Sequence, residues 1–506
     1  MKDESKPKGR FRRFLRWTWK LLVVYCMVSL ALSFVPELPL KAKVSEPSER
    51  VRISGELLAG AANVVITPPE ELWDELNLYG EDGPIEGVLD DVRARALTLS
   101  AEGVKDRFSM VSVELLVIPP QMRPALTREL AGRGLTHVHF LLSPTHTHTC
   151  PGNFWDVPFG RFYMGRYNDD YFRFLIKRIA DAVEASVKAM RPARIGFGQT
   201  RTRHLVKQRR YKEPVTGFRP PVDEELEVIR VDAKSDGSTI AYVLNLGAHA
   251  TTLLHQTDKR ISGDYPGVIS RLLEYRHAGA VALFLQGACG SVRATTPRPY
   301  KFYREIEDEA LARVVMQADM LLAFVREAEG RMSFEDTLDL SSALATVRLP
   351  GPDAHFFPEE RPYAAVRVLT IIPNWIMNRL VDWIGLPEAA PFQAVRLNHA
   401  YLLTLPGDVS SRLGWDIKRH VRREHVLVLG LANDYSLGYV LSREEYDMGG
   451  VSSLAGSERV QCFYGKRAGP FCVRVAGMLA NMVREEGADD VLLYRPGGGP
   501  GKIPGQ

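Results

Sequence analysis

The chain has 506 residues and a formal net charge of +4, with 45% hydrophobic and 25% charged residues, a globular composition that excludes disordered, collagen-like and coiled-coil chains. The basic excess is confined to residues 1–20, which carry eight basic and two acidic side chains; the other 486 residues carry 57 basic and 59 acidic ones. A near-neutral body argues against nucleic acid as a partner, because nucleic-acid binding needs a basic surface.

The first predicted element is a membrane segment. Residues 21–35 carry no charge and follow the basic run directly. Their length lies between a membrane-spanning helix of about 20 residues and the apolar part of a signal peptide, about 7–15 residues. We therefore predict residues 1–40 as a cytoplasmic basic tail and membrane anchor, with a cleaved signal as the alternative. By the positive-inside rule, either one places the remainder outside the cytoplasm, in the periplasm or the extracellular space.

The rest of the chain is predicted as a linker (41–55), one globular domain (56–490) and a disordered tail (491–506). Short apolar runs bounded by turn residues predict strands, over residues 94–99, 110–117, 137–142, 240–246, 280–285, 401–405 and 426–431. Amphipathic runs predict helices, over residues 171–190, 265–276, 306–327, 409–423 and 473–485. Strands interleaved with helices indicate an α/β fold, with a layered mixed sheet and flanking helices.

Five predicted strands run directly into polar loops that are rich in His, Asn, Asp and Gly. These loops are residues 143–148, 247–249, 286–291, 406–408 and 432–435. In α/β sheets, functional sites form where the carboxyl ends of strands converge on one edge. We therefore expect the five loops to contribute to a single site.

The side chains in and near these loops are of the types that bind metal ions in proteins. His146 and His148 are two residues apart, so on extended backbone both imidazoles point to the same face. His249 adds a third imidazole, the commonest metal ligand, while Asp408 adds a carboxylate and Tyr439 a phenol. A catalytic zinc ion takes three or four such ligands. The residues alone leave two alternatives open: a hydrogen-bonded core histidine at 249 and a helix N-cap at 408.

Four cysteines, at 150, 289, 462 and 472, lie beyond the apolar segment. An even number is typical of proteins from an oxidising compartment, where disulfides persist. Cys462 and Cys472 are ten residues apart around glycines and a proline, and we predict a local disulfide between them.

Several segments, in order, resemble the N-terminal catalytic region of the neutral/alkaline non-lysosomal ceramidase family. They are residues 60–69, 87–96, 145–152, 245–251, 262–264, 284–290, 405–408 and 432–446. The resemblance covers roughly residues 55–480. It implies a zinc-dependent amide hydrolase with one Zn²⁺ per chain, which splits ceramide-like N-acyl sphingoid lipids into fatty acid and amine. A lipid amide and a membrane are the implied partners, whereas the oligomeric state stays open.

The resemblance also implies roles for individual residues. His146 and His249 match zinc ligands of the family, and His148 matches the histidine that transfers protons beside the metal. Asp408 stands where the family has a ligand glutamate, and Tyr439 matches a ligand tyrosine.

Three further positions concern the charge that develops on the substrate. Arg203 matches an active-site arginine, whereas Arg293 replaces a serine of the family and Val451 lies where the family has a second tyrosine. We expect Arg203 or Arg293 to stabilise the developing oxyanion. The differences leave two alternatives: a metal hydrolase acting on another N-acyl or ester lipid, and a non-catalytic protein that binds lipid in the same pocket.

Overall fold

The structure is a computed structural model, and it describes residues 16–25, 27, 44, 46–209, 222–295, 306, 308–351, 383, 385–447 and 461–485. Residues 16–25 are helical. Within the described part of the chain, no helix is both long and apolar enough to cross a membrane. The predicted anchor continues beyond these residues into a part of the chain that the structure does not describe. Val451 and the predicted tail at 491–506 also lie outside the described residues.

The strands, numbered β1 to β19 in chain order, are Glu49–Val65, Gly87–Val88, Arg93–Ala101, Arg107–Val113, Val138–Pro144, Arg191–Arg201, Val206–Gln208, Glu225–Ala233, Thr239–Leu246, Arg260–Ile261, Val281–Gln286, Val292–Ala294, Phe334–Glu335, Thr337–Arg348, Ala389–Leu397, Ala400–Thr404, Asp408–Val409, His425–Leu429 and Tyr439–Val440. The α-helices after the N-terminal segment are Met122–Gly132, Pro158–Met164, Asp169–Lys188, Asp264–Arg276, Glu309–Glu329, Ser411–Val421, Arg443–Asp447 and Ala468–Val483. Two 3₁₀ helices cover Glu70–Glu75 and Gly465–Arg467.

Thirteen strands form one mixed sheet, whose main path is β11-β9-β8-β6-β1-β14-β15-β16-β18. A branch from β1 continues through β3 and β4 to β5, and β13 pairs with β6. The pairs β4–β5, β9–β11 and β16–β18 are parallel, while the pairs that join them into one sheet are antiparallel. The prediction of an α/β fold with a large mixed sheet and flanking helices is confirmed.

Strand β1 connects the two arms of this sheet. Its first half, through Glu56, pairs with β14, and its second half, from Leu57, pairs with β3. The prediction of a linker over residues 41–55 is therefore wrong from Glu49 onward. Val51 and Ile53 are buried and alternate with exposed polar residues, which is the pattern of a strand with one solvated face.

The helix Asp169–Lys188 covers β1 and β3. Asn168 caps its N-terminus by accepting a hydrogen bond from the Tyr171 amide at 2.9 Å. The helix packs close to the sheet because β1 presents a glycine beneath it. A Cβ atom on Gly60 would lie 2.3 Å from the carbonyl oxygen of Ser186.

The predicted disulfide between Cys462 and Cys472 is wrong. Among the residues that the structure describes, Cys150, Cys289, Cys462 and Cys472 are buried and form no disulfide. The two side chains of the predicted pair pack in different apolar clusters: that of Cys472 faces the main core from the helix Ala468–Val483, whereas that of Cys462 lies in a small cluster with Tyr439. The Cys472 thiol packs in the main core as a small buried apolar group.

Candidate functional site

The three parallel strand pairs all end at the same edge of the sheet. His146 lies two residues beyond β5, His249 three beyond β9, and Cys289 three beyond β11. Asp408 follows β16 and pairs in register with Tyr439 in the short β17–β19 ladder. The edge brings together the five side chains because parallel strands direct their carboxyl ends to one side.

The polar atoms at the ends of these side chains lie within hydrogen-bonding distance of one another or slightly farther apart. The Nε2 atoms of His146 and His249 are 3.1 Å apart. The Oδ2 atom of Asp408 lies 3.4 Å from Nε2 of His249 and 3.8 Å from Nε2 of His146. The Tyr439 hydroxyl lies 3.2 Å from Nε2 of His249. His249 and Asp408 have no exposed surface, so the group forms a closed polar centre.

Backbone carbonyls set the orientation of the two imidazoles. Nδ1 of His146 lies 2.7 Å from the carbonyl oxygen of Leu116, and Nδ1 of His249 lies 2.8 Å from that of Cys289. Each Nδ1 therefore donates its proton outward, which leaves the Nε2 lone pair directed inward. Burial lowers the pKa of His146 to about 3, and burial together with the Arg209 guanidinium holds the pKa of His249 well below its usual value. Both rings are neutral, the form that binds metals.

Two inward lone pairs and a carboxylate, brought this close in a buried space, form a cation-binding arrangement. One ligand atom each from His146, His249, Cys289 and Asp408 lies within 4.8 Å of the other three. Nitrogen ligands of this kind suit zinc and other transition metals rather than magnesium or calcium, which prefer oxygen. The residues that are present therefore fit a transition-metal ion.

His146 is held in a strained backbone conformation. Its φ angle is +64°, in the left-handed region that a residue with a side chain rarely adopts. The amide of His146 donates to the carbonyl of Leu115 at 3.0 Å, which secures the turn. Strain of this kind is typical of functional sites, where the surrounding structure over-determines one residue.

His148 lies at the outer side of the group. Its ring centre is 4.6 Å from that of His146 and 5.4 Å from that of His249. The side chain is nearly buried, its Nδ1 lies 3.0 Å from the carbonyl oxygen of His146, and its ring packs edge-on against Tyr79. Burial and the neighbouring His146 hold the pKa of His148 well below its usual value, so the ring is neutral.

Asp408 does not cap the helix that follows it. Ser410 occupies the N-cap of the helix Ser411–Val421 and accepts a hydrogen bond from the amide of Leu413 at 3.2 Å. The Asp408 carboxylate points instead toward the imidazoles. Of the two alternatives for this residue, the structure favours membership of the polar centre.

The structure does not bring either predicted arginine to the centre. Arg203 lies on the surface, where its guanidinium binds Glu327 at 3.1 Å. Arg293 pairs through its backbone with β7 and His249, but its side chain is exposed. Arg293 lies in a strand whose buried positions are its two neighbours, Val292 and Ala294, so its side chain points the opposite way.

A different arginine, Arg209, lies at the centre. Its Nη2 atom lies 2.9 Å from Nε2 of His249 and 3.1 Å from the Tyr439 hydroxyl. The residue directly follows β7, which pairs with β12 beside His249. Arg209 stands in a run of basic residues at 207–212 that looks like a solvated charged loop.

The comparisons with known proteins agree on one family. The family model of the neutral/alkaline non-lysosomal ceramidase N-terminal region matches residues 79–333. The chain is 24% identical over 383 residues to a neutral ceramidase from Pseudomonas aeruginosa, covering 62% of this chain and 56% of that protein. It is 29% identical over 233 residues to neutral ceramidase A from Dictyostelium discoideum, covering 41% and 31%. The chain thus spans little more than half the length of the first curated relative.

Two solved structures are similar in fold. The crystal structure of neutral ceramidase from Pseudomonas aeruginosa matches with a TM-score of 0.69 at 18% identity, covering 85% of this chain and 74% of that one. A ceramidase complexed with C2 matches with a TM-score of 0.67 at 18% identity, covering 84% and 75%.

Proposed function

Because the chain belongs to the neutral/alkaline non-lysosomal ceramidase family, we propose that it is a zinc-dependent amide hydrolase that splits ceramide-like N-acyl sphingoid lipids into a fatty acid and an amine. The observation that carries the proposal is the buried pair of imidazoles, whose Nε2 atoms face each other at 3.1 Å beside a carboxylate. Two neutral imidazoles with inward Nε2 lone pairs beside a carboxylate make a ligand set for a metal cation.

The zinc ligands in this proposal are His146, His249, Asp408 and Tyr439. Two nitrogen ligands of a tetrahedral zinc ion lie about 3.3 Å apart, given Zn–N bonds of about 2.0–2.1 Å, and the two Nε2 atoms are 3.1 Å apart. The ion would supply Lewis-acid activation of a water molecule and of an amide carbonyl.

His148 is the proposed general base and acid. Its ring is neutral, and it lies beside the ligand group on the side that retains some exposure. It would accept a proton from the attacking water and return it to the nitrogen of the leaving amine. Its Nδ1 is engaged with the His146 carbonyl, so Nε2 is the atom that exchanges the proton.

Arg209 is the proposed stabiliser of the oxygen charge that develops on the substrate carbonyl. Its guanidinium lies within hydrogen-bonding distance of both Tyr439 and His249, whereas Arg203 and Arg293 point elsewhere. A fixed cation beside the reacting oxygen lowers the energy of the transition state more than that of the substrate.

Replacing Arg209 with alanine is expected to lower kcat by about 10²–10³-fold, the usual effect of losing one oxyanion donor. Zinc content is expected to remain near one per chain, because the ligands are retained. Steady-state kinetics and elemental analysis measure the two quantities. The matched control is Arg203→Ala, which removes an exposed arginine bound to Glu327 and is expected to leave kcat at the wild-type value. Equal losses in both variants would argue against this role.

The substrate class is tested by incubating the purified chain with N-acyl sphingoid bases, other N-acyl lipids and ester lipids, with and without a zinc chelator. We expect release of fatty acid from the N-acyl sphingoid bases, loss of release on chelation and its return when zinc is added. Preferential cleavage of another N-acyl or ester lipid would favour the alternative metal hydrolase. Stoichiometric zinc without turnover on any lipid would favour a lipid-binding protein.

We also propose that residues 1–40 anchor the chain in a membrane, with the globular domain outside the cytoplasm. The support is the eight basic residues among the first twenty, followed by the uncharged residues 21–35. Extraction of membranes with alkaline carbonate tests the anchor, and protease added to intact cells tests the side. Release of the chain by carbonate would contradict an anchor, and a shortened soluble product would identify a cleaved signal.

A further inference from the structure

Cys289 contacts two of the proposed zinc ligands through different atoms. Its carbonyl oxygen accepts the Nδ1 proton of His249 at 2.8 Å. Its Sγ atom lies 3.3 Å from Oδ1 of Asp408, within the range of a hydrogen bond from a thiol. The side chain has no exposed surface.

The thiol engages one oxygen of the Asp408 carboxylate and leaves the other directed at the imidazoles. Oδ2 lies 3.4 Å and 3.8 Å from the Nε2 atoms of His249 and His146. The terminal torsion of an aspartate has broad minima, so a carboxylate without a partner on Oδ1 rotates readily. A donor at Oδ1 restricts that rotation and keeps Oδ2 turned toward the centre.

The loop that carries Cys289 is packed tightly against Asp408. The amide of Gly290 donates to the carbonyl of Val409 at 2.9 Å. A Cβ atom on Gly290 would lie 2.8 Å from the backbone oxygen of Asp408 and 3.1 Å from its Oδ1. Because no side chain separates the loop from Asp408, the thiol is held at a fixed place beside the carboxylate.

We propose that Cys289 is a positioning residue for the metal centre: its thiol donates a hydrogen bond to Oδ1 of Asp408 and so orients Oδ2 as a ligand, without sulfur binding the metal. The inference rests on the zinc site of the proposed function. It assigns to one residue the orientation of two ligands, His249 through the carbonyl and Asp408 through the thiol. Substitution of the side chain removes only the second contact.

The test compares Cys289→Ala with Cys289→Ser in the full-length protein. Alanine removes the donor, and zinc affinity measured against a competing chelator is expected to fall by about 10–100-fold, as for other partners of metal ligands. Serine keeps a donor of similar size and is expected to restore most of that affinity. Wild-type affinity in Cys289→Ala, or equal loss in both variants, would overturn the inference. Thermal melting of the metal-free variants shows whether both remain folded.

A second measurement addresses the role of the sulfur in the unaltered protein. Cobalt(II) is loaded in place of zinc, and the near-ultraviolet spectrum is recorded. We expect no sulfur-to-cobalt charge-transfer band; such a band would show that the thiolate is a ligand and would overturn the positioning role. If the wild type binds neither zinc nor cobalt, the proposed zinc site and this inference both fail. If zinc binds equally well to Cys289→Ala, the inference alone fails.

Discussion

Replacing His146 with alanine is expected to abolish both zinc binding and lipid hydrolysis. His146 supplies one of two inward Nε2 atoms, and its loss leaves one imidazole, that of His249, with the Tyr439 hydroxyl 3.2 Å and Asp408 Oδ2 3.4 Å from its Nε2. With the ligand gone, neither water nor the substrate carbonyl is activated. The zinc content of the purified variant, measured by elemental analysis, is expected to fall from one per chain to none. Fatty-acid release is expected to fall below detection.

The matched control for this variant is His137→Ala. His137 belongs to the other His-x-His segment of the same region, but its side chain is exposed and lies near Asp106. We expect this variant to keep wild-type zinc content and turnover. Full turnover by a metal-free His146→Ala protein would contradict the proposed chemistry, since hydrolysis would then proceed on other groups of the chain.

The second large effect is expected at Glu114, which lies in a buried ion-pair network. The Glu114 carboxylate contacts the Arg95 guanidinium, and Arg95 also binds Glu274 at 2.7 Å. Arg95 is 1% exposed and Glu114 is fully buried. Replacing Glu114 with alanine leaves a buried guanidinium short of one partner. The free energy of unfolding is expected to fall by about 3–5 kcal/mol, measured by urea denaturation of the metal-free chain.

The control for Glu114 is Glu56→Ala. Glu56 forms an exposed ion pair with Lys234 at 2.9 Å, and Lys234 keeps Asp336 as a second partner at 3.1 Å. The expected loss there is much smaller than at Glu114, because water and salt screen an exposed pair. A loss at Glu114 no larger than at Glu56 would contradict a structural role for the network.

Glu114 also connects the network to the candidate metal centre. The next two residues along the chain, Leu115 and Leu116, offer the carbonyls that accept from the amide and the Nδ1 of His146. Glu114 further accepts from the amide of Arg93 at 3.1 Å, which holds the turn after β4 against the neighbouring strand. The stability of the turn after β4 and the orientation of His146 are therefore coupled.

Strand endings were predictable from the sequence because a buried parallel strand reads as a short apolar run with a polar loop after it. All seven predicted strands and all five predicted helices lie on observed elements, with bounds that differ by a few residues at most ends. Five long strands on the main path of the sheet, β1, β6, β8, β14 and β15, were missed. Along β1, exposed Arg50 and Arg52 alternate with buried Val51 and Ile53, and this reads as a polar linker.

Within the candidate site, residues at the end of a predicted strand could be found from sequence, but Arg209 could not. It reaches His249 from a three-residue strand forty positions earlier in the chain. Nothing local distinguishes it from Arg203, which lies on the surface. The pairing of β7 with β12 decides between them, and that pairing is a contact between distant segments. The same limit applies to Cys289, whose orienting contact with Asp408 spans 119 residues.

The order in which the ligands occur along the chain bears on when the centre is completed during synthesis. His146 and His249 are 103 residues apart, and Tyr439 follows His249 by 190. A nascent chain that has emerged only as far as β14 lacks two of the proposed ligands. Contacts between such distant segments form slowly, after the local elements. The proposed metal centre is therefore among the last parts of the molecule to form, and a chain that ends before Asp408 lacks two of its four proposed ligands.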